Sequence, residues 1–151
     1  MSAAAAAGAG FLVAVLWFDL MFDVQTRGHA GDRLPGEVLA SISAYYRRVT
    51  TDASPMSRLI PAVMAVTVLA IVAEIVTRSA TWWPAWASLA FAACAIGLAM
   101  ARTVRNAVRL GRAVDPEETQ TRLARTIYRD HLFCLAAMVF VVGLQLGFNS
   151  G

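Results

Sequence analysis

Charged residues, cysteine and histidine are all scarce in this chain, and lysine is absent. Only 15% of its 151 residues are charged, 58% are hydrophobic, and all 13 basic residues are arginine. This composition excludes an ordinary water-soluble fold and indicates a single-domain membrane protein. The two cysteines, Cys94 and Cys134, lie within apolar stretches and lack the spacing of a disulfide framework or a zinc site. We interpret both as small hydrophobic residues.

Four apolar stretches are long enough to cross a membrane. They lie at about residues 3–22, 58–77, 83–101 and 131–148, close to the roughly 20 residues that a spanning helix needs. We predict an all-α membrane protein in which residues 1–151 form one four-transmembrane-helix bundle. Small residues recur every four positions in three stretches, which favours close helix packing, although alanine-rich composition explains the first two sets equally well. The sets are Ala6/Gly10/Ala14, Ala93/Gly97/Ala101 and Gly143/Gly147.

The arginines are distributed unevenly among the loops. Five lie in the first loop or at its end, seven lie in the third loop, and only Arg78 lies in the second. By the positive-inside rule, the first and third loops should be cytoplasmic and both termini outside. We expect an integral protein of a bacterial inner (plasma) membrane. Membrane topology also explains the net charge of +3 better than a nucleic-acid partner does.

The first loop contains a predicted amphipathic helix from about Pro35 to Val49. Its apolar residues follow helical spacing, and Arg47 and Arg48 lie beside them. We expect this helix to lie along the cytoplasmic membrane surface, with Ile42 and Tyr46 facing lipid or the bundle. The stripe consists of Val38, Leu39, Ile42, Tyr45, Tyr46 and Val49.

The third loop is also predicted to be helical. Arginines at 102, 105, 109 and 112 are spaced three, four and three residues apart, so the third helix should continue beyond the membrane until Gly111 weakens it. Residues 115–118, Asp-Pro-Glu-Glu, have the pattern of a cap, a first-turn proline and two acids that start a helix. That helix should run into the fourth span.

Two aspartates near the end of the first span are the main indication of a site. Asp19 and Asp23 lie four residues apart and so share one helix face. An ionisable side chain in a spanning helix costs about 3 kcal/mol on insertion scales, so it is by default a candidate functional residue. We expect Asp19 to pair with Arg102, Arg105 or His131, in that order, because helix direction places all three at similar depth.

Polar residues from all four helices are predicted to converge at the cytoplasmic level. We assign catalytic roles to Asp19 and His131. The arginines have an alternative explanation as flanking residues that reach lipid headgroups and form structural ion pairs. The candidate ligand-binding residues are Asp23, Tyr46, Arg47, Arg102, Arg105, Asn106 and Arg129.

His131 and Cys134 have the three-residue spacing of a soft metal-ligand pair. A closed metal site needs more ligands, and His29 is the only other histidine. We therefore predict no metal and no cofactor, and favour His131 as a proton acceptor or as the hydrogen-bond partner of a carboxylate. Glu74 lies four residues before Arg78, so a local ion pair is expected there.

Three short segments lie at corresponding ends of the predicted spans: Tyr45–Thr50 (YYRRVT) before the second, Arg105–Leu110 (RNAVRL) after the third, and Arg129-Asp130-His131 at the start of the fourth. In these segments and in its helix order, the chain resembles the anthrone-oxygenase-like family of small four-helix membrane proteins. The family's proline before the asparagine and its tryptophan upstream of the histidine are absent. The resemblance implies cofactor-free oxygenation of polycyclic phenolic substrates.

Two classes of function remain open from the sequence. The first, which we favour, is a module that binds an amphipathic or anionic ligand at the cytoplasmic interface, or serves as an accessory subunit of a larger membrane complex. The second is the oxygenase, in which an aspartate or His131 removes a proton and arginines hold the resulting anion. Membrane lipid is an expected partner in both. A multidrug-type transporter is less favoured because no internal repeat supports alternating access.

Overall fold

The computed structural model describes residues 2–29, 31–52, 54–77 and 83–148. All regular structure in these ranges is helical. Short 3₁₀ and π-helical segments lie at Val24–Thr26, Arg48–Asp52 and Ala99–Thr103. The α-helices are α1 (Ser2–Asp23), α2 (Gly36–Arg47), α3 (Ser54–Thr77), α4 (Trp83–Leu98), α5 (Val104–Arg112) and α6 (Glu117–Gly147).

Four helical segments of the described chain are long and apolar enough to cross a membrane, which confirms the predicted class. They are Ala3–Thr26, Ser57–Thr77, Trp83–Arg112 and Glu117–Gly147. The last two contain 30 and 31 residues, or about 45 Å of helix, and therefore extend well beyond a hydrocarbon layer of about 30 Å. The predicted spans 83–101 and 131–148 are thus parts of longer helices.

The four long helices form a bundle in which each contacts two neighbours. Helix α1 packs against α3 and α6, and α4 packs against the same two helices. The core between them consists mainly of small and aliphatic side chains. The backbone N–H and C=O groups of each helix bond within that helix, so they need no polar side chains in the core. Its buried members are Ala5, Ala9, Leu12, Ile71, Ala92, Ala95, Cys134, Ala137, Met138 and Val141.

The glycines at the predicted packing stripes do not make close helix contacts. A β-carbon added at Gly10, Gly97, Gly143 or Gly147 would meet nothing within 4 Å. The close approach occurs instead at Gly8, where an added β-carbon would collide with the hydroxyl of Thr67 on α3. Several small-residue faces coexist on these helices, so spacing alone did not identify the face that packs.

Helix α2 lies against the extensions of the third and fourth helices and forms a second core with them. Ile42 and Tyr46 are 0% and 2% exposed, so both face the protein. Gly111 permits the close approach, since an added β-carbon would lie 2.7 Å from the backbone nitrogen of Arg47. The core contains Leu34, Leu39, Ile42, Tyr46, Ala107, Leu110, Leu123, Ala124 and Ile127.

The connection between α5 and α6 differs in part from its predicted form. Ala113 has a left-handed backbone, with φ of 52°, where α5 ends. Helix α6 does begin after Pro116, with two acids in its first turn, but no side chain caps it. Asp115 instead accepts two hydrogen bonds of 2.7 Å from Arg109. These bonds lower the pKa of Asp115. Asp115 therefore pairs with Arg109 and does not cap α6.

Candidate functional site

A cluster of buried polar side chains lies where α1, α2 and α6 meet. Helix α1 contributes Asp19 and Asp23 near its end, α2 contributes Tyr45 and Tyr46, and α6 contributes His131. Helix α1 packs along α6, and α2 contacts both of these helices. The hydrogen-bonded partners Asp23, Tyr46 and His131 are 23 to 108 residues apart in sequence. Helix packing in the bundle brings them together.

Asp23 is fully buried and bonds to two elements. Its Oδ1 accepts a 2.6 Å hydrogen bond from the hydroxyl of Tyr46, and its Oδ2 lies 2.7 Å from Nδ1 of His131. The Tyr46 hydroxyl is also 3.4 Å from that nitrogen. Because a carboxylate only accepts hydrogen bonds, this geometry assigns the proton on His131 to Nδ1.

Asp19 is more open than Asp23. Its Oδ1 accepts a 2.6 Å hydrogen bond from the hydroxyl of Tyr45, whose ring is stacked on Phe22 at a centroid distance of 4.0 Å. Its Oδ2 lies 3.9 Å from Nε2 of His131, which is too far for a hydrogen bond. Two polar atoms therefore face each other across a gap that a group with two donor hydrogens can bridge.

Both tyrosines act as neutral hydrogen-bond donors. Burial, reinforced by Asp23 and Asp19, raises the pKa of Tyr46 well above its ordinary value. Burial, followed by the effect of Asp19, raises the pKa of Tyr45 in the same direction. Each phenol consequently stays protonated and donates a hydrogen bond to a carboxylate.

A cavity of about 440 Å³ adjoins this cluster. Aliphatic and aromatic side chains from every long helix form most of its wall, and Asp19, Tyr45, Tyr46 and His131 line it at one end. No arginine among the described residues lines it. The apolar lining includes Leu12, Leu16, Phe18, Ile60, Met64, Ala95, Ile96, Met100, Val104, Val108 and Met138.

Two π-helical segments border this cavity. Arg48–Asp52 continues α2, and Ala99–Thr103 joins α4 to α5. Val49, Thr50, Ala99, Met100 and Thr103 all line the cavity. A π turn is wider than an α turn and recurs at functional sites, and here two of them lie beside the same space.

Arg102 does not reach Asp19, contrary to the prediction. Its guanidinium donates to both carboxylate oxygens of Asp130, from Nε at 3.0 Å and from Nη2, and Thr103 also donates to Asp130. Asp130 directly precedes His131 in the sequence and is 2% exposed. It was not among the predicted partners of an arginine.

The other predicted ligand-binding residues lie away from the cavity. Arg105 is exposed and donates to the carbonyl of Ala101, and exposed Arg47 lies 3.6 Å from Asp52. Arg129 lies in a separate shallow depression on α6 with Arg122 and Arg125. Asn106 is half-buried but does not line the cavity. Of the nine predicted site residues, Asp19, Asp23, Tyr46 and His131 are therefore brought together.

Tyr45 belongs to the cluster but was not among the predicted site residues. In the sequence it is part of the apolar stripe of α2 and of the YYRRVT segment, neither of which marks it as a site residue. Its adjacency to Tyr46 was the available clue, because neighbouring helical positions lie about 100° apart and two hydroxyls can then reach both aspartates of the adjoining helix.

A second buried polar group lies at the far end of the bundle. Glu74 and Gln145 are each 1% exposed, and Nε2 of Gln145 donates to the hydroxyl of buried Ser88 at 3.1 Å. The predicted partner of Glu74, Arg78, lies outside the described residues. Within the described ranges, no three His, Cys, Asp or Glu side chains are grouped so that they could hold a metal ion.

Comparison with known proteins found no matching family model, no similar curated protein and no similar solved structure.

Proposed function

We propose that this chain is a small integral membrane protein that binds an amphipathic molecule in the cavity. The observation that carries this proposal is an apolar space of about 440 Å³ with polar groups at one end. Cavities of this size hold drug-sized ligands, and a few fixed polar groups in an apolar wall orient them. The ligand's polar head would lie at Asp19 and His131, and its apolar body along α3 and α4.

The mouth of the cavity supports entry from lipid. Among the lining residues, Ser57 and Pro61 of α3 and Met100 and Val104 beyond α4 are exposed, and we take them to border the opening. These residues are mostly apolar and belong to candidate spans. A hydrophobic ligand would therefore enter sideways, without crossing bulk water.

The proposed site lies at the cytoplasmic face, with both termini outside. This orientation follows from the arginines of the two loops at the α2 end of the bundle. Helix α2 would then cover the site from the cytoplasmic side, and the exposed arginines Arg47, Arg105 and Arg129 would lie at headgroup level, where they favour anionic lipid. This assignment gives the arginines a role at the membrane surface and leaves the cavity to the tyrosines, Asp19 and His131.

A fluorescent amphipathic alcohol, 9-anthracenemethanol, provides a direct test in phosphatidylcholine nanodiscs. Ala99→Trp places a bulky ring on a wall of the cavity, and Ala93→Trp places the same ring on an exposed position of α4 outside it. We expect at least tenfold weaker binding for Ala99→Trp and less than a twofold change for Ala93→Trp. Equal binding by wild type and both variants, or by empty nanodiscs, would reject the proposed cavity site.

One observation favours a second candidate, oxygenation of a polycyclic phenolic substrate. The bond from Nδ1 to Asp23 leaves Nε2 of His131 as a free acceptor at the cavity, the arrangement of a general base. Proton removal from anthrone would give a carbanion that dioxygen oxidises to anthraquinone and water. We would measure dioxygen uptake with anthrone against empty nanodiscs. The candidate requires uptake that His131→Gln abolishes while the cavity still binds 9-anthracenemethanol.

A further inference from the structure

We infer that the head of the bound molecule is a protonated primary or secondary amine, an inference that rests on the proposed cavity site. It comes from the hydrogen-bonding capacity and the charge of the polar end of the cavity. The sequence predicts an anionic ligand held by arginines, but none of the described arginines lines the cavity.

Among the described residues, the polar end presents two hydrogen-bond acceptors and no free donor when His131 is neutral. Asp19 accepts the Tyr45 hydroxyl through Oδ1, and no described residue donates a hydrogen bond to its Oδ2. With its proton on Nδ1, His131 presents a lone pair on Nε2. The hydroxyls of Tyr45 and Tyr46 are already donated to carboxylates. A ligand must therefore supply the donors.

The separation of the two acceptors fits a single nitrogen with two N–H groups. Asp19 Oδ2 and His131 Nε2 are 3.9 Å apart. A nitrogen about 2.8 Å from each would make two hydrogen bonds of ordinary length. A ligand hydroxyl has one proton and would satisfy only one acceptor. A quaternary ammonium has none, and a carboxylate would oppose Asp19.

Charge also favours a cation. The cluster contains two carboxyl groups, Asp19 and Asp23, and one imidazole, so its acidic groups outnumber its basic ones. Arg102, which was expected to pair with Asp19, is paired with Asp130 instead. Aromatic rings at Phe18, Tyr45 and Tyr46 also border the space, and such rings attract ammonium groups through their faces.

Four probes with one anthracene body separate these alternatives. They are 9-(aminomethyl)anthracene, its N,N,N-trimethyl derivative, 9-anthracenemethanol and 9-anthracenecarboxylate. Binding is measured at neutral pH in phosphatidylcholine nanodiscs, with empty nanodiscs subtracted. We expect the amine to bind at least tenfold more tightly than the alcohol, the trimethyl derivative to be at least fivefold weaker than the amine, and the carboxylate to bind least.

Asp19→Asn supplies the matching change in the protein. It should weaken amine binding at least tenfold and alcohol binding less than threefold, while Asp115→Asn, which changes an acid that does not line the cavity, alters neither. If the alcohol binds wild type as tightly as the amine and Ala99→Trp abolishes both, the cavity site stands and the amine inference is wrong. If no probe is sensitive to Ala99→Trp, the proposed function itself fails. The wild-type probe order tests the inference even if a variant does not fold.

Discussion

Nδ1 of His131 lies 2.7 Å from Oδ2 of Asp23 and so links the fourth spanning helix to the end of the first. Neither group reaches solvent freely, since Asp23 is fully buried and His131 is 7% exposed. The pair fixes both the ring orientation and the tautomer of the histidine. It therefore determines which nitrogen the cavity presents to a ligand.

Asp23→Ala should destabilise the fold by about 3 kcal/mol, because the hydroxyl of Tyr46 and Nδ1 of His131 would lose their shared acceptor. Thermal unfolding in detergent, followed by circular dichroism, measures the change. Asp115→Ala is the matched control, since it removes an aspartate whose partner, Arg109, is exposed, and should leave the midpoint nearly unchanged. Similar midpoints for the two variants would show that the buried pair contributes little.

Asp19→Asn separates a structural role from a ligand-binding role. The asparagine amide oxygen can still accept the hydrogen bond from Tyr45, so we expect a folded protein whose midpoint shifts by only a few degrees. Binding of 9-(aminomethyl)anthracene should nevertheless weaken at least tenfold. A loss of stability of about 3 kcal/mol would instead indicate that Asp19 mainly neutralises a buried partner.

Alkaline pH should destabilise the protein through its buried tyrosines. The pKa of Tyr46 is raised in the folded chain, so its contribution is fully present below the unfolded pKa of about 10 and declines as pH rises above that value. Above pH 10 the decline should be about 1.4 kcal/mol per pH unit for this phenol. Thermal midpoints between pH 9 and 11.5 measure it. Tyr46→Phe, although less stable at pH 9, should show a shallower decline, and an unchanged slope would contradict the assignment.

Gly111→Ala should destabilise the contact between α2 and α5. The added β-carbon would lie 2.7 Å from the nitrogen and 3.0 Å from the α-carbon of Arg47, and a backbone collision of this kind typically costs 1–3 kcal/mol, about the range for overpacking. Gly97→Ala is the control, because nothing lies within 4 Å of its added β-carbon and alanine favours helix by up to about 1 kcal/mol. The prediction fails if both variants unfold at the same temperature.

The orientation of the chain can be tested by cysteine labelling. In a background without Cys94 and Cys134, single cysteines at positions 30 and 115 should react with a membrane-impermeant maleimide only in inside-out vesicles. A cysteine at position 150 should react in intact cells. Labelling of position 150 only from the cytoplasmic side would reverse the proposed orientation and place the site outside.

Hydropathy was sufficient to predict four membrane-length helices, because a spanning helix needs a long apolar run whatever its partners are. Helix direction also brought Asp19 close to His131, the third of its expected partners. It did not predict that Arg102 bonds to Asp130, because that choice depends on which faces of two helices meet. Arginine side chains are long and can reach several acceptors. The approximate depth of Arg102 in the membrane therefore did not determine which carboxylate it would bind.

The cavity could not have been predicted from periodicity. Residues as far apart as Leu12, Thr50 and Met138 line it, and the turns that border it depart from α-helical spacing at Arg48–Asp52 and Ala99–Thr103. Sequence patterns assume a constant 3.6 residues per turn. They fail where the helix widens, which is where the candidate site lies.

The widened turn at Ala99–Thr103 has a consequence for how this helix tolerates deletions. Each α-helical residue turns the chain by about 100°, so removal of one residue from this turn would rotate everything after it relative to the membrane half. Ala107, Leu110 and Gly111 would leave the surface that α2 requires, although no side chain in that surface had been altered. The turn therefore sets the rotation of α5 relative to α4. Its length is constrained more tightly than the identity of its residues.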